Sequence, residues 1–325
     1  MCRHDAKRSD LKQRTLGLAL TLALGGVAPG AALADWAYVP NEKSASVSVL
    51  DTRDDRRIKD FAAGQRPRGI AVDAGRIYLT DAASGSLLVL DRASGTLLQS
   101  VALGKSPEGL YLSADGKTLA AAVEEDNAVV LLSAPEGREV ARIKVEGRNP
   151  EHAVFSPDGR WLLVSAEEAE QIDVIDVAAR RQVASIPVGR RPRGMAFSPD
   201  GTRAYVACEL SGHVAVVDVA ARKTLATIPA GHNPAGVAML PGGSRVFVSN
   251  GKDGTVMAID TASNTVVATI EVGKRPWNMV LSSDGRKLYV ANGRSNSVSV
   301  VDTADLRKLG DVVVGELPWG VALMP

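Results

Sequence analysis

Seven copies of a unit of about 42 residues, each long enough for four short strands, predict an all-β chain folded as a seven-bladed β-propeller. Partial units at the two ends that complement each other predict that the ring is closed. The repeat is marked by Gly-x-x-Pro at Gly64, Gly104, Gly147, Gly189, Gly231, Gly273 and Gly315, with steps of 40, 43 and then 42 residues. A second marker is the Asp that ends a Val-rich strand, at Asp51, Asp91, Asp176, Asp218, Asp260 and Asp302, with Ser133 in its place once. A third is a polar turn, Ser-Pro-Asp-Gly at Ser156 and Ser198 and close variants at Ser113 and Ser282. A β-solenoid is the main rival, but its coils are usually shorter.

Along the chain, residues 1–34 differ from the rest. Arg3, Lys7, Arg8, Lys12 and Arg14 precede an apolar run, Leu16 to Val27, and Ala32-Leu33-Ala34 is a small-x-small site. This is the layout of a secretory signal peptide cleaved after Ala34, which implies a periplasmic protein without a membrane span. The other reading is an uncleaved anchor, disfavoured because the run is short for a bilayer. The whole chain has 38 Lys+Arg against 37 Asp+Glu; removing the five basic and two acidic residues of the leader leaves 33 against 35, a balance of −2. Such a balance gives no argument for nucleic acid. Cys208 is then the single cysteine, read as a small core residue at a strand end.

The unit nearest the C-terminus shows the expected strands: Trp277–Leu281, Lys287–Ala291, Ser297–Val301 and Lys308–Val314, separated by Gly, Asp and Asn turns. The segment after the leader, Ala37-Tyr38-Val39-Pro40-Asn41, matches a second strand. The last segment, Trp319-Gly320-Val321-Ala322-Leu323, matches a first strand. The two ends are therefore expected to share one blade and remove two exposed sheet edges.

Tyr-Val-Ala-Asn at Tyr289–Asn292 and Phe-Val-Ser-Asn at Phe247–Asn250 resemble the YVTN propeller repeat, as do the Val-x-Val-Val/Ile-Asp strands and the Gly-x-x-Pro joints. The resemblance spans residues 37–325. Within that group the chain most resembles the β-propeller proteins associated with PQQ-dependent catabolism. The resemblance implies a periplasmic, non-catalytic accessory of quinoprotein alcohol oxidation. Its partner would be a quinoprotein dehydrogenase or its cytochrome, and PQQ itself would be a possible contact. Some YVTN-like propellers also resemble lactonases, which implies an acid, a base and an Arg at the channel mouth; Glu151, His152 and Arg193 are the matching candidates.

Antiparallel alternation places the fourth-to-first-strand joints and the second-to-third-strand turns on one face. The residue after each Gly-x-x-Pro then stands at the mouth of the central channel: Arg68, Glu108, Glu151, Arg193, Ala235, Trp277 and Trp319. The joints carry Arg66, Arg68, Lys105, Arg148, Arg190, Arg191, Arg193, Lys274 and Arg275 against Glu108, Glu151 and Glu316. The neighbouring turns are acidic, Glu42, Glu167 and Glu209 among them. This predicts a basic ring inside an acidic fringe, suited either to an anion or acidic partner or to solvated, salt-bridged packing. Gly follows the mouth residue in five blades, while His152 and Asn278 replace it in two. His152 beside Glu151 reads as an acid–base pair or as a packed, hydrogen-bonded residue. Trp277 and Trp319 read as an aromatic wall for a ligand or partner, or as axial packing. His213 reads as a solvated turn residue. No Cys-x-x-Cys-His, metal-ligand His spacing or Gly-x-Ser-x-Gly elbow occurs, so the sequence points to no covalent haem, metal or serine-hydrolase site.

Overall fold

In a computed structural model, residues 36–323 and Met1 are described; the expected signal peptide and its cleavage site after Ala34 lie outside them. The described chain forms seven four-stranded antiparallel sheets, and every regular element is a strand. No helix among these residues is long and apolar enough to cross a membrane. Numbered around the ring, blade 1 joins the two ends of the described segment 36–323. Blades 2 to 7 begin with the inner strands Pro67–Val72, Pro107–Leu112, Pro150–Phe155, Pro192–Phe197, Pro234–Met239 and Pro276–Leu281.

Second and third strands are buried on both faces because each blade packs against two neighbours. One core cluster joins Ala37, Val39 and Leu50 of blade 1 to Tyr289, Ala291 and Val298 of blade 7, and similar clusters fill the other junctions. The third residue of the second strand is aromatic in five blades: Tyr38, Tyr78, Tyr205, Phe247 and Tyr289, each at most 1% exposed. Burying such a ring suits an inter-blade layer, provided a hydroxyl finds a partner. Tyr78 donates to Asp73 (2.6 Å) and Tyr289 to Asp55 (2.7 Å). The polar turns work as read. Asp158 accepts from Ser156 Oγ (2.6 Å) and from the Arg160 amide (3.1 Å), and Gly159 takes a φ of 71°.

Ring closure matches the two partial units. The closing sheet runs Ala322–Leu323, Trp36–Asn41, Ser46–Asp51, Arg56–Ala62 from the axis outward. Only Ala322 and Leu323 of the expected inner strand lie in the ladder, opposite Tyr38 and Ala37. Pro318 bridges Asn41, and the Trp319 amide donates to Pro40 O at 3.0 Å. The break between them is the bulge that interrupts every inner strand, as between Pro276 and Met279 in blade 7. The blade 7 strands are Pro276–Leu281, Lys287–Asn292, Ser297–Asp302 and Arg307–Val313, so the fourth sits one residue earlier than expected.

The bulge explains the glycine after the mouth residue. A Cβ on Gly236 would sit 2.3 Å from Trp277 O, and one on Gly69 would sit 2.4 Å from Glu108 O. Adjacent inner strands are this close at the axis, so a side chain does not fit at Gly69 or Gly236, whereas His152 and Asn278 occupy the equivalent position in two other blades. Hydroxyls of the second strand clamp the crossing: Thr80 Oγ1 receives the Gly69 amide and donates to Glu108 O, and Ser249 does the same for Gly236 and Trp277 O.

Candidate functional site

Each joint turns the chain sharply before its proline. Arg191 and Arg275 adopt left-handed φ values of 56° and 54°. A non-glycine residue there costs of order 1–3 kcal/mol unless its surroundings hold it. Here the holding groups are ionic. Arg191 Nε lies 3.2 Å from Glu209 Oε2, and Arg275 Nη2 donates to Glu209 Oε1 at 3.0 Å.

The mouth residues meet around the axis as an ion-pair network. Arg193 reaches Glu167, Glu151 (2.7 Å) and Glu209 (3.6 Å). Arg191 also pairs with Glu167 at 3.3 Å. On the other side Arg68 joins Glu108 and Glu42, and Arg66 pairs with Glu42 at 2.8 Å. The basic ring and the acidic fringe are thus one structure, with Arg guanidinium forks spanning neighbouring blades. Glu42, Glu167 and Glu209 were legible as acidic turn residues. Their place in the network follows from register: each stands directly after a second strand, beside the joint of the next blade.

Burial sets the protonation states. Glu108 is 2% exposed, and burial pushes its carboxyl up to about 7 against the opposing pull of Arg68. Burial also holds Glu151 well above the usual carboxylate range, although Arg193 acts the other way. Burial would raise Glu167 too, but the hydrogen bond with Glu151 and the charges of Arg193 and Arg191 outweigh it and hold it at about 2. Burial thus favours the protonated form of Glu151, beside a Glu167 that the guanidinium groups keep ionised. Glu151 Oε2 accepts no hydrogen bond from the protein, because Arg193 approaches it at ion-pair distance but outside hydrogen-bond geometry.

His152 is 2% exposed, and burial, helped by Arg193, lowers it to about 3, so the ring is neutral. Its Nδ1 lies 2.8 Å from the Tyr111 hydroxyl, its amide donates to Ser165 Oγ, and its ring packs against Trp319 with centroids 5.5 Å apart. The 3.8 Å approach to Glu151 is not an ion pair in this state. Glu151, His152 and Arg193 do come together as the sequence places them. The space they share with Trp277, Asn278 and Trp319 is about 10 Å³, room for one water.

Other candidates lie elsewhere. Arg148, Arg190 and Lys274 are exposed on the rim. Arg148 makes a 3.6 Å contact with the exposed Glu168, and Arg190 donates to Leu210 O. The two tryptophans both border the small space at the mouth but pack differently. Trp319 is buried against His152, whereas the Trp277 ring lies over Gly293 in its own blade. His213 is not a solvated turn residue: it opens a third strand, with Nε2 2.8 Å from Val188 O. Cys208 is buried at a second-strand end, where burial raises its thiol to about 12. No group of three or more His, Cys, Asp or Glu among the described residues is placed to hold a metal ion.

A family model for YNCE-like β-propellers matches residues 41–245, and one for the seven-bladed β-propeller lactonases matches residues 178–318. No curated protein matches the chain. Among solved structures, Kuenenia stuttgartiensis hydrazine synthase is 25% identical with a TM-score of 0.76, over 82% of this chain and 92% of that one. A protein of unknown function from Desulfotomaculum acetoxidans is 15% identical with a TM-score of 0.78, over 89% of this chain and 98% of that one, a likeness of fold alone.

Proposed function

From its place as a member of the YNCE-like β-propeller family, and from the closed mouth of its channel, we propose that this chain is a non-catalytic binding scaffold that docks a protein partner on its joint face. One observation carries the reading. The groups that could do acid–base chemistry, Glu151, His152 and Arg193, are packed around about 10 Å³, while Arg148, Arg190 and Lys274 stand on the rim of the same face. Beside them an open groove of about 680 Å³ mixes charges, with Arg148 and Arg190 facing Glu124, Glu168 and Glu170. A rigid surface of patterned charge steers and orients a charged protein. The resemblance to PQQ-associated propellers supplies the partner class: a periplasmic quinoprotein dehydrogenase or its cytochrome.

The test must leave the buried network intact. Reversing Arg191 or Arg193 would add an acid beside Glu167 and Glu209 and unfold the mouth. The informative variant is Arg148→Glu/Arg190→Glu/Lys274→Glu. It is expected to keep the wild-type circular dichroism and melting behaviour and to bind the dehydrogenase or cytochrome at least roughly tenfold more weakly. Unchanged affinity would remove the rim from the interface.

The lactonase match over residues 178–318 favours a second reading, a lactone hydrolase. Arg193 lies within the matched span, while Glu151 and His152 precede it and enter as the neighbouring acid and base of the sequence reading. That reading requires the mouth to open. Lactone hydrolysis by the wild-type chain that disappears in Glu151→Gln would support it; an inactive wild-type chain would end it.

A further inference from the structure

The central channel differs at its two ends. Each inner strand runs from the joint face towards the Asp–Gly turns, so the residues after the bulge line the far half of the axis. There a cavity of about 320 Å³ opens, lined by Ile70, Val72, Leu112, Met195, Met279 and Leu323 among others. No Asp, Glu, Lys, Arg or His among the described residues lines it, although the ring just above contains Arg68, Glu108, Glu151 and Arg193. The volume falls in the range of small-molecule sites, which are mostly apolar with a few polar groups.

Tyr111 and Trp319 also line the cavity, and the Tyr111 hydroxyl is engaged by His152 Nδ1 at 2.8 Å. Two further sources of polarity remain. Each inner strand is the last of its sheet, so the backbone N–H and C=O groups on its channel edge have no ladder partner. The other source is Asn278, one of the two residues that replace the glycine after the mouth residue. Together with Trp319 it lines both chambers of the axis. Its Nδ2 donates to Trp319 O at 3.2 Å, which leaves Oδ1 as an acceptor.

We propose that this far half of the channel is a binding site for a small uncharged, largely apolar molecule carrying a hydrogen-bond donor, whose donor group is received by Asn278. A charged ligand would lose its hydration with no counter-charge on the walls. An apolar body displaces water from the Ile, Val, Leu and Met lining and gains burial. The site is independent of the rim proposed for partner docking, since it opens on the opposite face.

2-Naphthol and 2-naphthoate share a ring system and differ in charge at neutral pH, so they test the class directly. The chain is labelled with 13C at its methionine methyls, and each compound is titrated by NMR. 2-Naphthol is expected to bind saturably and shift Met195 and Met279, which line the cavity, while Met257, buried between blades, stays in place. 2-Naphthoate is expected to bind at least roughly tenfold more weakly. Asn278→Gly restores the residue found in five other blades and is expected to weaken 2-naphthol by about threefold to tenfold. It should leave the weaker binding of 2-methoxynaphthalene, which has no donor, unchanged. Absence of 2-naphthol binding, shifts at Met257 in place of Met195 and Met279, or naphthoate binding as tight as naphthol would each overturn the proposal. Equal loss for naphthol and its methyl ether in Asn278→Gly would remove Asn278 from it. The Arg148/Arg190/Lys274 reversal should not alter any of these shifts, which keeps a failure here separate from a failure of the docking surface.

Discussion

At the scale of single residues, the mouth of the channel is governed by the difference between a charge that burial can neutralise and one it cannot. Arginine stays charged, so the carboxylates around it must either ionise with it or take up a proton. Glu167 does the first and Glu151 the second. Glu108, held at about 7, stands between them and makes stability depend on pH. Its ordinary value is 4.5, so between pH 4.5 and 7 the folded chain keeps a proton that the unfolded chain has released. The stabilisation is therefore complete below pH 4.5 and is lost as pH rises through 7, by up to about 3 kcal/mol. Glu167 acts in the opposite sense: its contribution is present above pH 4.5 and is lost as pH falls towards 2. Urea unfolding of wild type and Glu108→Gln at pH 5 and pH 8 checks this. The wild type is expected to lose stability at the higher pH, and the variant to lose clearly less. Equal losses would mean that Glu108 ionises normally in the folded chain.

At the scale of the strand, the repeat is periodic because the same crossing recurs at the axis. The bulge, the hydroxyl clamp and the glycine are three parts of that crossing. Gly-x-x-Pro spacing and Asp–Gly turns were legible because each encodes backbone geometry in residue type. The fourth strand shifted by one residue because a register slip in the ladder leaves no mark in residue type. Gly236 tests the crossing. Gly236→Ala places a methyl 2.3 Å from the backbone carbonyl of Trp277, and neither inner strand can retreat without breaking the Ser249 clamp. A loss of about 1–3 kcal/mol is expected in urea titrations. Gly242→Ala, where a Cβ meets nothing within 4 Å, is the matched control and should change little. Equal effects of the two substitutions would show that crowding at the axis does not set the choice of glycine.

At the scale of the whole molecule, a ring differs from an open array because every blade has two neighbours. The repeat count and the complementary ends made closure legible in the sequence. The candidate site was legible only in part. Charge signs and faces could be read, but whether opposite charges pair depends on distances across blades. The apolar far half of the channel escaped notice because its lining residues read as ordinary strand interior. Closure itself rests on the short segment after Gly315, where Trp319, Val321 and Ala322 are each 8% exposed and complete blade 1 against Trp36–Asn41. Removing Pro318–Pro325 strips that strand and bares an edge along the axis. In an open solenoid, truncation of one end frays the adjacent repeats and leaves distant ones intact. In a closed ring the gap lets the blades on both sides splay, and the ion pairs that link blades around the mouth lose their common frame. Several kcal/mol of burial disappear with Trp319, Val321 and Leu323 alone. Hydrogen exchange on the truncated chain is therefore expected to show reduced protection in every blade, including blade 4 on the far side. Losses confined to blades 1 and 7 would mean that the blades are stabilised pair by pair and that closure adds only its own local contacts.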